Sequence, residues 1–212
     1  DVELADGTVV VAHCPNPGSM KSCAEPGWGA RLSPANNPKR KLKWTLEIVD
    51  ADTGPILVNT ARPNHIVKEA IEGGHIDALS GYNRLRSEVR YGDNSRIDLL
   101  LESDGRPSCF VEVKNVTLRA EPGTAAFPDS VSKRAAKHMT ELAKMKQAGH
   151  RAVVLFLVSR TDSKRMRPAD EIDPKYGEAL RAAVAAGVEA LAYQLDFDAR
   201  GVSVGSSLPI LL

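Results

Sequence analysis

The sequence predicts an α/β domain with a mixed sheet, preceded by a small all-β module. Three observations predict this fold class. Strand patterns separated by long Gly- and Pro-rich loops fill residues 1–60, helix and strand patterns alternate after residue 62, and Ala152–Val158 is a continuous apolar run typical of a strand buried on both faces. The 212 residues, 42% hydrophobic and 26% charged, suit a globular chain of one or two domains.

The all-β module is expected over residues 1–60. Thr8–His13 is β-rich, Lys43–Val49 alternates apolar and polar side chains, and Ile56–Val58 adds a third short strand. The intervening Pro15–Pro38 is dense in Gly, Pro, Asn and Ser, so we expect it to be mostly loop. Because the chain opens at Asp1 directly into a strand-like pattern, we expect an N-terminal strand of this module to be missing.

The second domain is expected over residues 61–212. Asn64 is a plausible N-cap of its first helix, Gly73 ends that helix, and Pro128 suits the first turn of the next one. The predicted helices and strands are, in order, a helix at 64–72, strands at 85–91, 96–101 and 109–117, a helix at 128–147, a strand at 152–158, a helix at 175–186 and a strand at 189–197.

Composition excludes several classes of protein. Lys and Arg number 28 against 27 Asp and Glu, so the net charge of +1 does not indicate a nucleic-acid partner, which must be argued from where the charges lie. No apolar run approaches the roughly 20 residues that span a bilayer, so we expect a cytoplasmic protein with no membrane partner. Cys14, Cys23 and Cys109 lack a CxxC spacing and support neither a disulfide framework nor a zinc finger.

Three charged residues on two neighbouring strands form the candidate catalytic constellation. Asp98 lies inside an apolar strand, where an ionised carboxylate needs a partner or a metal. Period-2 alternation places Glu112 and Lys114 on one face of the next strand. Two converging carboxylates suit Mg²⁺ or Mn²⁺, and Lys114 would assist hydrolysis of a phosphodiester. The alternative is a cross-strand salt bridge without catalytic function.

The register of the hairpin between these strands decides whether the two acids meet. An odd-length loop centred on Gly105 places Asp98 opposite Glu112. A two-residue Asp-Gly turn would instead pair Asp98 with Val111 and put the acids on opposite faces. The metal hypothesis therefore requires an odd loop or a bulge.

Two basic stretches are candidate DNA-binding surfaces. The first lies beside an aromatic residue in the all-β module, which suits phosphate tracking and base stacking, although a solvated loop with a core Trp is the alternative. The second lies on the long helix, where it could hold a DNA backbone or be a plain solvated face. The predicted DNA-binding residues are Lys39, Arg40, Lys41, Lys43 and Trp44 in the first stretch, and Lys133, Arg134 and Lys137 in the second.

Several longer segments then carry a specific resemblance. They are HCPNPGSM at 13–20, NT and RPN within 59–64, SEVRYG at 87–92, SRID at 95–98, VEVKNVTL at 111–118 and FPDSV at 127–131. Together, and in this order along essentially the whole chain, they resemble the sugar fermentation stimulation protein A (SfsA) family of bacteria and archaea. The resemblance implies an N-terminal OB-like barrel, a C-terminal domain similar to the PD-(D/E)xK nucleases, DNA binding and a link to sugar (maltose) metabolism.

The resemblance also assigns roles to residues. It implies that Asp98 and Glu112 are metal carboxylates and that Lys114 is the catalytic lysine. In the nuclease-like superfamily a further acid often comes from the preceding helix, which here offers Glu69, while Glu88 lies on the strand that follows. His138 falls within the resemblance and is expected to be structural or to contact DNA rather than to ligate metal. The loop at 13–20 is expected to pack between the two parts of the chain.

Three functions remain open at this point, the third being a role without nucleic acid in which Asp98, Glu112 and Lys114 form a salt bridge. The first is a Mg²⁺- or Mn²⁺-dependent nuclease acting on single- or double-stranded DNA. The second is a DNA-binding regulator of sugar (maltose) metabolism genes that retains the fold with little or no catalysis. A homodimer is left open, as is the choice between Glu69 and Glu88 for completing the metal site.

Overall fold

The computed structural model describes residues 1–92 and 95–212. Within these residues it contains fifteen β-strands, three α-helices and a 3₁₀ turn at Asp77–Leu79. The strands are β1 (Val2–Glu3), β2 (Val9–Val10), β3 (Ala12–His13), β4 (Gly29–Pro34), β5 (Trp44–Ala51), β6 (Gly54–Leu57), β7 (Arg84–Tyr91), β8 (Ser95–Glu102), β9 (Cys109–Val116), β10 (Leu118–Glu121), β11 (Gly123–Phe127), β12 (Arg151–Val158), β13 (Ser163–Pro168), β14 (Glu189–Asp198) and β15 (Gly201–Ser207). The helices are α1 (Pro63–Glu72), α2 (Lys133–Gln147) and α3 (Pro174–Ala185).

The N-terminal module is built around β5. This strand pairs antiparallel with β4 and β6 and parallel with β3, while β1 and β2 form a separate hairpin. Its small core contains buried Cys23, Val49, Ile56 and Val58. The predicted strand at Thr8–His13 is thus divided between two sheets, because its first half pairs with β1 and its second half with β5.

Residues 15–38 are mostly loop, as expected, but Gly29–Pro34 is a strand that was not predicted. This segment forms β4 and pairs with β5 from the Gly29–Asp50 pair to the Pro34–Trp44 pair, with a register shift after Arg31. Gly and Pro at its ends are local signals for turns. The strand therefore depends on its partner rather than on its own pattern.

The second module is a six-stranded mixed sheet between helices. The strand order is β15-β14-β12-β9-β8-β7, in which β14, β12 and β9 are parallel and the other neighbours antiparallel. Helix α1 packs on one face of this sheet, and α2 packs on the other face beside α3. The mixed sheet predicted from sequence is confirmed. The run Ala152–Val158 is buried on both faces as predicted, with alternate side chains entering two different core clusters.

A three-stranded sheet, ordered β10-β11-β13, was not predicted from the sequence. Its parallel pair joins β11 to β13, so that Thr124 lies opposite Arg165 across a long separation in the chain. Each of these strands has six residues or fewer. Such short strands carry too little periodicity to be recognised before their partner is known.

The long helix begins later than predicted. Pro128 is not in its first turn, because α2 begins at Lys133 and Ser132 is the N-cap, whose side chain accepts a hydrogen bond from the Ala135 N–H at 3.1 Å. Residues 128–131 instead connect β11 to the helix. No helix among the described residues has both the length and the hydrophobicity needed to cross a membrane.

Candidate active site

Strand β8 reverses its faces at Asp98. Ile97 and Leu99 are two residues apart and would normally share a face of the sheet. Instead, Ile97 enters the core cluster beneath α2 and α3, while Leu99 enters the cluster beneath α1. Asp98 therefore lies at a twist between the two layers.

The neighbouring strand β7 makes the same reversal at Glu88. The side chains of Leu85 and Val89 pack into opposite core clusters, and Glu88 between them has a positive φ of 56°. The flanking pairs Ser87–Leu99 and Val89–Ile97 place Glu88 opposite Asp98 in the register. The exposed Glu88 is therefore the sequence-predicted acid that the topology brings next to the Asp98 position.

The hairpin register predicted from an odd-length loop is confirmed. Strands β8 and β9 pair Leu99 with Val111 and Leu101 with Cys109, the same register that would place Asp98 opposite Glu112. The ladder stops at the Leu99 pair. Beyond it the Asp98 carboxylate replaces backbone pairing, because its Oδ2 accepts the Val113 N–H at 2.7 Å.

Helix α1 supplies the second partner of Asp98. The Asn64 side-chain amide donates to Asp98 Oδ1 at 2.8 Å. The prediction that Asn64 is the N-cap is wrong: Arg62 occupies the N-cap position and Pro63 begins the helix. Sequence reasoning thus missed Asn64 as a site residue. Its signal was present in the Arg-Pro-Asn segment, since Pro at the first helical position moves Asn64 inside the first turn.

Glu69 lies elsewhere on the same helix. At about 100° per residue, five positions separate the directions of Asn64 and Glu69 by roughly 140°. The Glu69 side chain is exposed, whereas Val67 and Ala70 form the buried face of the helix. The structure therefore does not bring Glu69 toward Asp98 as it brings Asn64.

Glu112 is the most deeply buried acid of the site, with 2% of its surface exposed. Its Oε1 accepts a hydrogen bond from Lys114 Nζ at 2.6 Å and also contacts His138 Nδ1. Its Oε2 is buried and has no hydrogen-bond partner among the described residues. One carboxylate oxygen is thus engaged by two side chains, whereas the other has no hydrogen-bond partner among the described residues.

Burial affects the two carboxylates differently. Desolvation, followed by the charge of Glu112, raises the pKa of Asp98 to about 6 despite the hydrogen bonds from Val113 and Asn64. Desolvation also raises the pKa of Glu112, but the hydrogen bond from His138 and the charge of Lys114 outweigh it, so that this pKa lies below its usual range. Two adjacent acids whose pKa values are driven apart are a frequent feature of catalytic sites.

His138 was predicted to be structural or to contact DNA, and the structure places it inside the site. The imidazole is 5% exposed and reaches Glu112 from α2. Its Nδ1 is 3.3 Å from Lys114 Nζ, and its Nε2 is 3.4 Å from Arg134 Nε. The available sequence signal was a histidine in the buried stripe of α2 beside Met139 and Leu142.

The four basic residues of the first stretch lie on the loop before β5. Lys39 and Lys41 are exposed, Arg40 donates to Thr45 Oγ1 at 2.9 Å, and Lys43 donates to the Pro38 carbonyl at 2.7 Å. Trp44, the first residue of β5, is half-buried. This stretch presents cationic groups next to a partly accessible aromatic ring.

The second basic stretch lies on α2. Lys133, Arg134 and Lys137 are exposed along this helix. Lys137 also lies 3.4 Å from Glu141 Oε1, a carboxylate that is 2% exposed and has no hydrogen-bond partner among the described residues. Lys133 thus lies at the surface, Arg134 also contacts the buried His138 imidazole, and Lys137 also compensates a buried charge.

The loop at residues 13–20 of the N-terminal module packs against the second module, as predicted. The Ser19 N–H donates to Asp129 Oδ2 at 2.8 Å, and the Ser19 hydroxyl donates to the Asp129 carbonyl at 2.8 Å. Gly18 permits this approach, because a Cβ there would lie 2.4 Å from Asp129 Oδ2 and the carboxylate would have to shift. A cleft of about 270 Å³ lies between the loop, Asn115 of β9 and the segment before α2.

Among the described residues, no group of three or more His, Cys, Asp or Glu side chains is arranged to hold a metal ion. The described acids that the geometry brings together are Asp98 and Glu112, with Glu88 opposite Asp98 in the strand register.

Comparisons with known proteins cover both modules. Residues 1–58 match the model of the SfsA N-terminal OB domain, and residues 61–201 match that of the sugar fermentation stimulation protein RE domain. The chain is 54% identical to the sugar fermentation stimulation protein homolog of Geobacter sulfurreducens over 211 residues, covering 100% of this chain and 90% of that protein. Identity to the Nitrosococcus oceani homolog is 52% over 214 residues, covering 100% and 91%.

A solved structure agrees with the fold. The structure of Pyrococcus furiosus SfsA in complex with Ca²⁺ superposes with a TM-score of 0.88 at 27% identity, covering 98% of this chain and 88% of that one. The two family models together span nearly the whole sequence, and the relatives match it from end to end. The chain belongs to the sugar fermentation stimulation protein (SfsA) family.

Proposed function

We propose that this protein binds DNA and hydrolyses its phosphodiester bonds with the help of Mg²⁺ or Mn²⁺. The observation that carries the proposal is the buried Asp98–Glu112–Lys114 constellation, in which Glu112 Oε2 has no partner among the described residues. Leaving such an oxygen unpaired in the interior costs about 1–3 kcal/mol. A ligand at this position would remove that cost.

The donor set fits a hard divalent cation. Carboxylate oxygens are the ligands that Mg²⁺ and Mn²⁺ prefer, and Asp98 and Glu112 would hold the ion. Glu88, opposite Asp98, is the better placed of the two sequence-predicted additional acids. A relative supports the proposal, since Pyrococcus furiosus SfsA was solved in complex with Ca²⁺, another oxygen-seeking ion.

The protein groups around the ion would have different roles in hydrolysis. A bound divalent ion would lower the pKa of a coordinated water and neutralise charge on the phosphate. Lys114, with a side chain 11% exposed, keeps its ammonium at the site through its hydrogen bond to Glu112. It would orient the attacking water or stabilise the negative charge that develops on the phosphate. Asn64 and the Val113 N–H hold Asp98 in place.

DNA contacts would come from both basic stretches. Lys39, Lys41 and Trp44 offer charge and an aromatic surface, while Lys133 and Arg134 lie on the helix that carries His138 into the site. Placement along α2 would bring a phosphate backbone toward the candidate active site.

The second candidate is a DNA-binding regulator of sugar (maltose) metabolism genes with little or no hydrolysis. The observation that favours it is the closed Glu112–Lys114 pair, because a lysine held by a buried carboxylate is less free to act on a substrate. The family description, sugar fermentation stimulation, agrees with such a role.

Cleavage assays separate the two candidates. Wild type, Asp98→Asn and a control, Asp104→Asn in the exposed β8–β9 turn, are incubated with single- and double-stranded DNA in Mg²⁺, Mn²⁺ or EDTA. A nuclease loses activity by about 100-fold or more in EDTA and in Asp98→Asn, but not in the control. Undiminished cleavage in Asp98→Asn contradicts the mechanism. Salt-dependent binding without cleavage supports the regulator, and no binding at low salt contradicts both.

A further inference from the structure

The imidazole of His138 is held between groups of opposite hydrogen-bonding character. On one side, its Nδ1 contacts Glu112 Oε1. On the other, its Nε2 faces Arg134 Nε at 3.4 Å. Arg134 lies one helical turn before His138 on α2 and is itself exposed, so the ring joins the protein surface to a carboxylate in the interior.

These contacts determine where the ring carries its proton. A guanidinium only donates hydrogen bonds, so Nε2 must be the accepting nitrogen. An ionised carboxylate only accepts, so Nδ1 must carry the hydrogen and donate it to Glu112. Both neighbours therefore select the tautomer with the hydrogen on Nδ1. Lys114 Nζ lies 3.3 Å from the same Nδ1, but this ammonium donates to Glu112 Oε1 at 2.6 Å, so both donors converge on that oxygen.

The same contact decides which oxygen of Glu112 remains available. Oε1 receives two donors, Lys114 Nζ at 2.6 Å and the His138 Nδ1–H. Oε2 receives none from the described residues. A carboxylate fixed at one oxygen by two donors cannot rotate freely about its terminal torsion, so Oε2 keeps one direction.

We propose that His138 is a positioning residue: in its Nδ1–H tautomer it fixes the Glu112 carboxylate so that Oε2 stays directed at the cation position. The tautomer follows from the contacts alone, whereas the consequence for a cation rests on the proposed function. Residues that orient a metal ligand in this way typically contribute about 10- to 100-fold to metal affinity.

The first test locates the ring proton. Long-range ¹H–¹⁵N correlation spectra of metal-free protein in EDTA, with the His138 signals assigned by their loss in His138→Asn, should show a protonated Nδ1 and an unprotonated Nε2. A proton on Nε2 with a bare Nδ1 would overturn the inference. This readout depends on neither metal nor DNA.

The second test measures Mn²⁺ binding by the electron paramagnetic resonance signal of the free ion. His138→Leu removes the donor at similar size, whereas in His138→Asn the side-chain amide nitrogen replaces Nδ1 and still donates. We expect the Leu variant to bind about 10-fold or more weakly and the Asn variant to stay within a few-fold of wild type. Thr140→Ala, on the exposed side of the same helix, is the control and should match wild type.

The outcomes of the two tests distinguish a failure of the inference about His138 from a failure of the proposed function. Absence of Mn²⁺ binding in the wild type contradicts the proposed function, while the position of the ring proton still decides the tautomer. Equal affinity of His138→Leu and wild type shows that His138 does not position Glu112. If His138→Leu fails to fold, a large loss of affinity in a folded His138→Asn counts against the inference, because that variant retains the donor.

Discussion

Glu88 holds a backbone conformation that its side chain disfavours. A φ of 56° in the interior of β7 is left-handed, which costs an L-residue roughly 1–2 kcal/mol relative to its usual conformations. Such strain is retained where it serves a site. Here it accompanies the reversal of strand faces opposite Asp98.

Replacement of Glu88 by Gly should therefore separate stability from function. Glycine adopts a positive φ without strain, so we expect the free energy of unfolding to rise by up to about 1 kcal/mol while Mn²⁺ affinity falls. Urea denaturation and Mn²⁺ titration measure the two effects. Ser87→Gly, at the neighbouring position without a positive φ, should instead lower the free energy of unfolding by about 0.5–1 kcal/mol.

The ionisation of Glu47 makes the stability of the fold depend on pH. The Arg62 guanidinium holds the pKa of this carboxyl at about 2, against burial, with further hydrogen bonds from Ser33 and Asn59. A depressed folded-state pKa contributes stability that is present above about pH 4.5 and is lost as the pH falls toward 2.

Glu47→Gln should remove that contribution. We expect it to lower the free energy of unfolding by about 2 kcal/mol at pH 7, which is less than the full pKa shift implies because the pair with Arg62 is partly exposed to solvent. Near pH 2 the effect should be much smaller, because Glu47 itself becomes protonated there. Urea denaturation across this pH range measures the difference. Asp50→Asn, which breaks the exposed pair between Asp50 of the same strand and Arg31 of β4, should cost less than about 1 kcal/mol. A Glu47→Gln effect independent of pH would refute the assignment.

At the level of elements, the sequence predicted those that carry their own periodicity. Helices α1 and α3 and strands β7, β8, β9, β12 and β14 were all predicted, most of them within one or two residues of their bounds. Strands β10, β11 and β13 were missed because each has six residues or fewer, and β4 was missed because Gly29 and Pro34 at its ends are turn signals. The same reasoning applies to the candidate site. Asp98, Glu112 and Lys114 could be found by alternation on two adjacent strands, whereas Asn64 and His138 reach them from helices.

Two basic residues on α2 are expected to differ in their effect on stability. Lys133 is exposed, while Lys137 also lies 3.4 Å from the buried Glu141 carboxylate. Lys133→Ala should reduce DNA affinity and lower the salt slope by about 1 without affecting stability. Lys137→Ala should in addition lower the free energy of unfolding by about 1–3 kcal/mol, because a buried charge loses its compensation. Filter binding at several salt concentrations and urea denaturation test this pair, and equal stability of the two variants would contradict it.

The whole molecule is joined by a buried arginine. Arg160, 1% exposed, donates to the Thr117 carbonyl at 2.7 Å and to the Ser22 hydroxyl of the N-terminal module at 3.2 Å. It also pairs with Asp162, whose pKa burial would raise but which hydrogen bonds from Arg160 and its neighbours lower to about 2. The Arg160 side chain thus forms hydrogen bonds with both modules.

Arg160→Met should be strongly destabilising. The substitution removes the closest cation of Asp162, which keeps only the longer contact with Arg119 at 3.3 Å, and leaves the Thr117 carbonyl without this donor, so we expect a loss of about 3 kcal/mol in the free energy of unfolding. Arg200→Met breaks an exposed pair with Asp198 and should change it by less than about 1 kcal/mol. Thermal and urea unfolding measure both, and a small effect of Arg160→Met would show that the modules are held by other contacts.

The junction has a consequence for the order of events during synthesis. The contacts of Ser19 with Asp129 and of Ser22 with Arg160 span 110 and 138 residues of chain. Contacts of such long range form slowly, because a large loop must close first. A ribosome delivers the N-terminal strands long before their partners, so the HCPNPGSM loop lacks its contacts with Asp129 until residue 129 has emerged, and Ser22 lacks its contact with Arg160 until residue 160 has emerged. The nascent N-terminal module therefore reaches its final conformation only after most of the second module has been made.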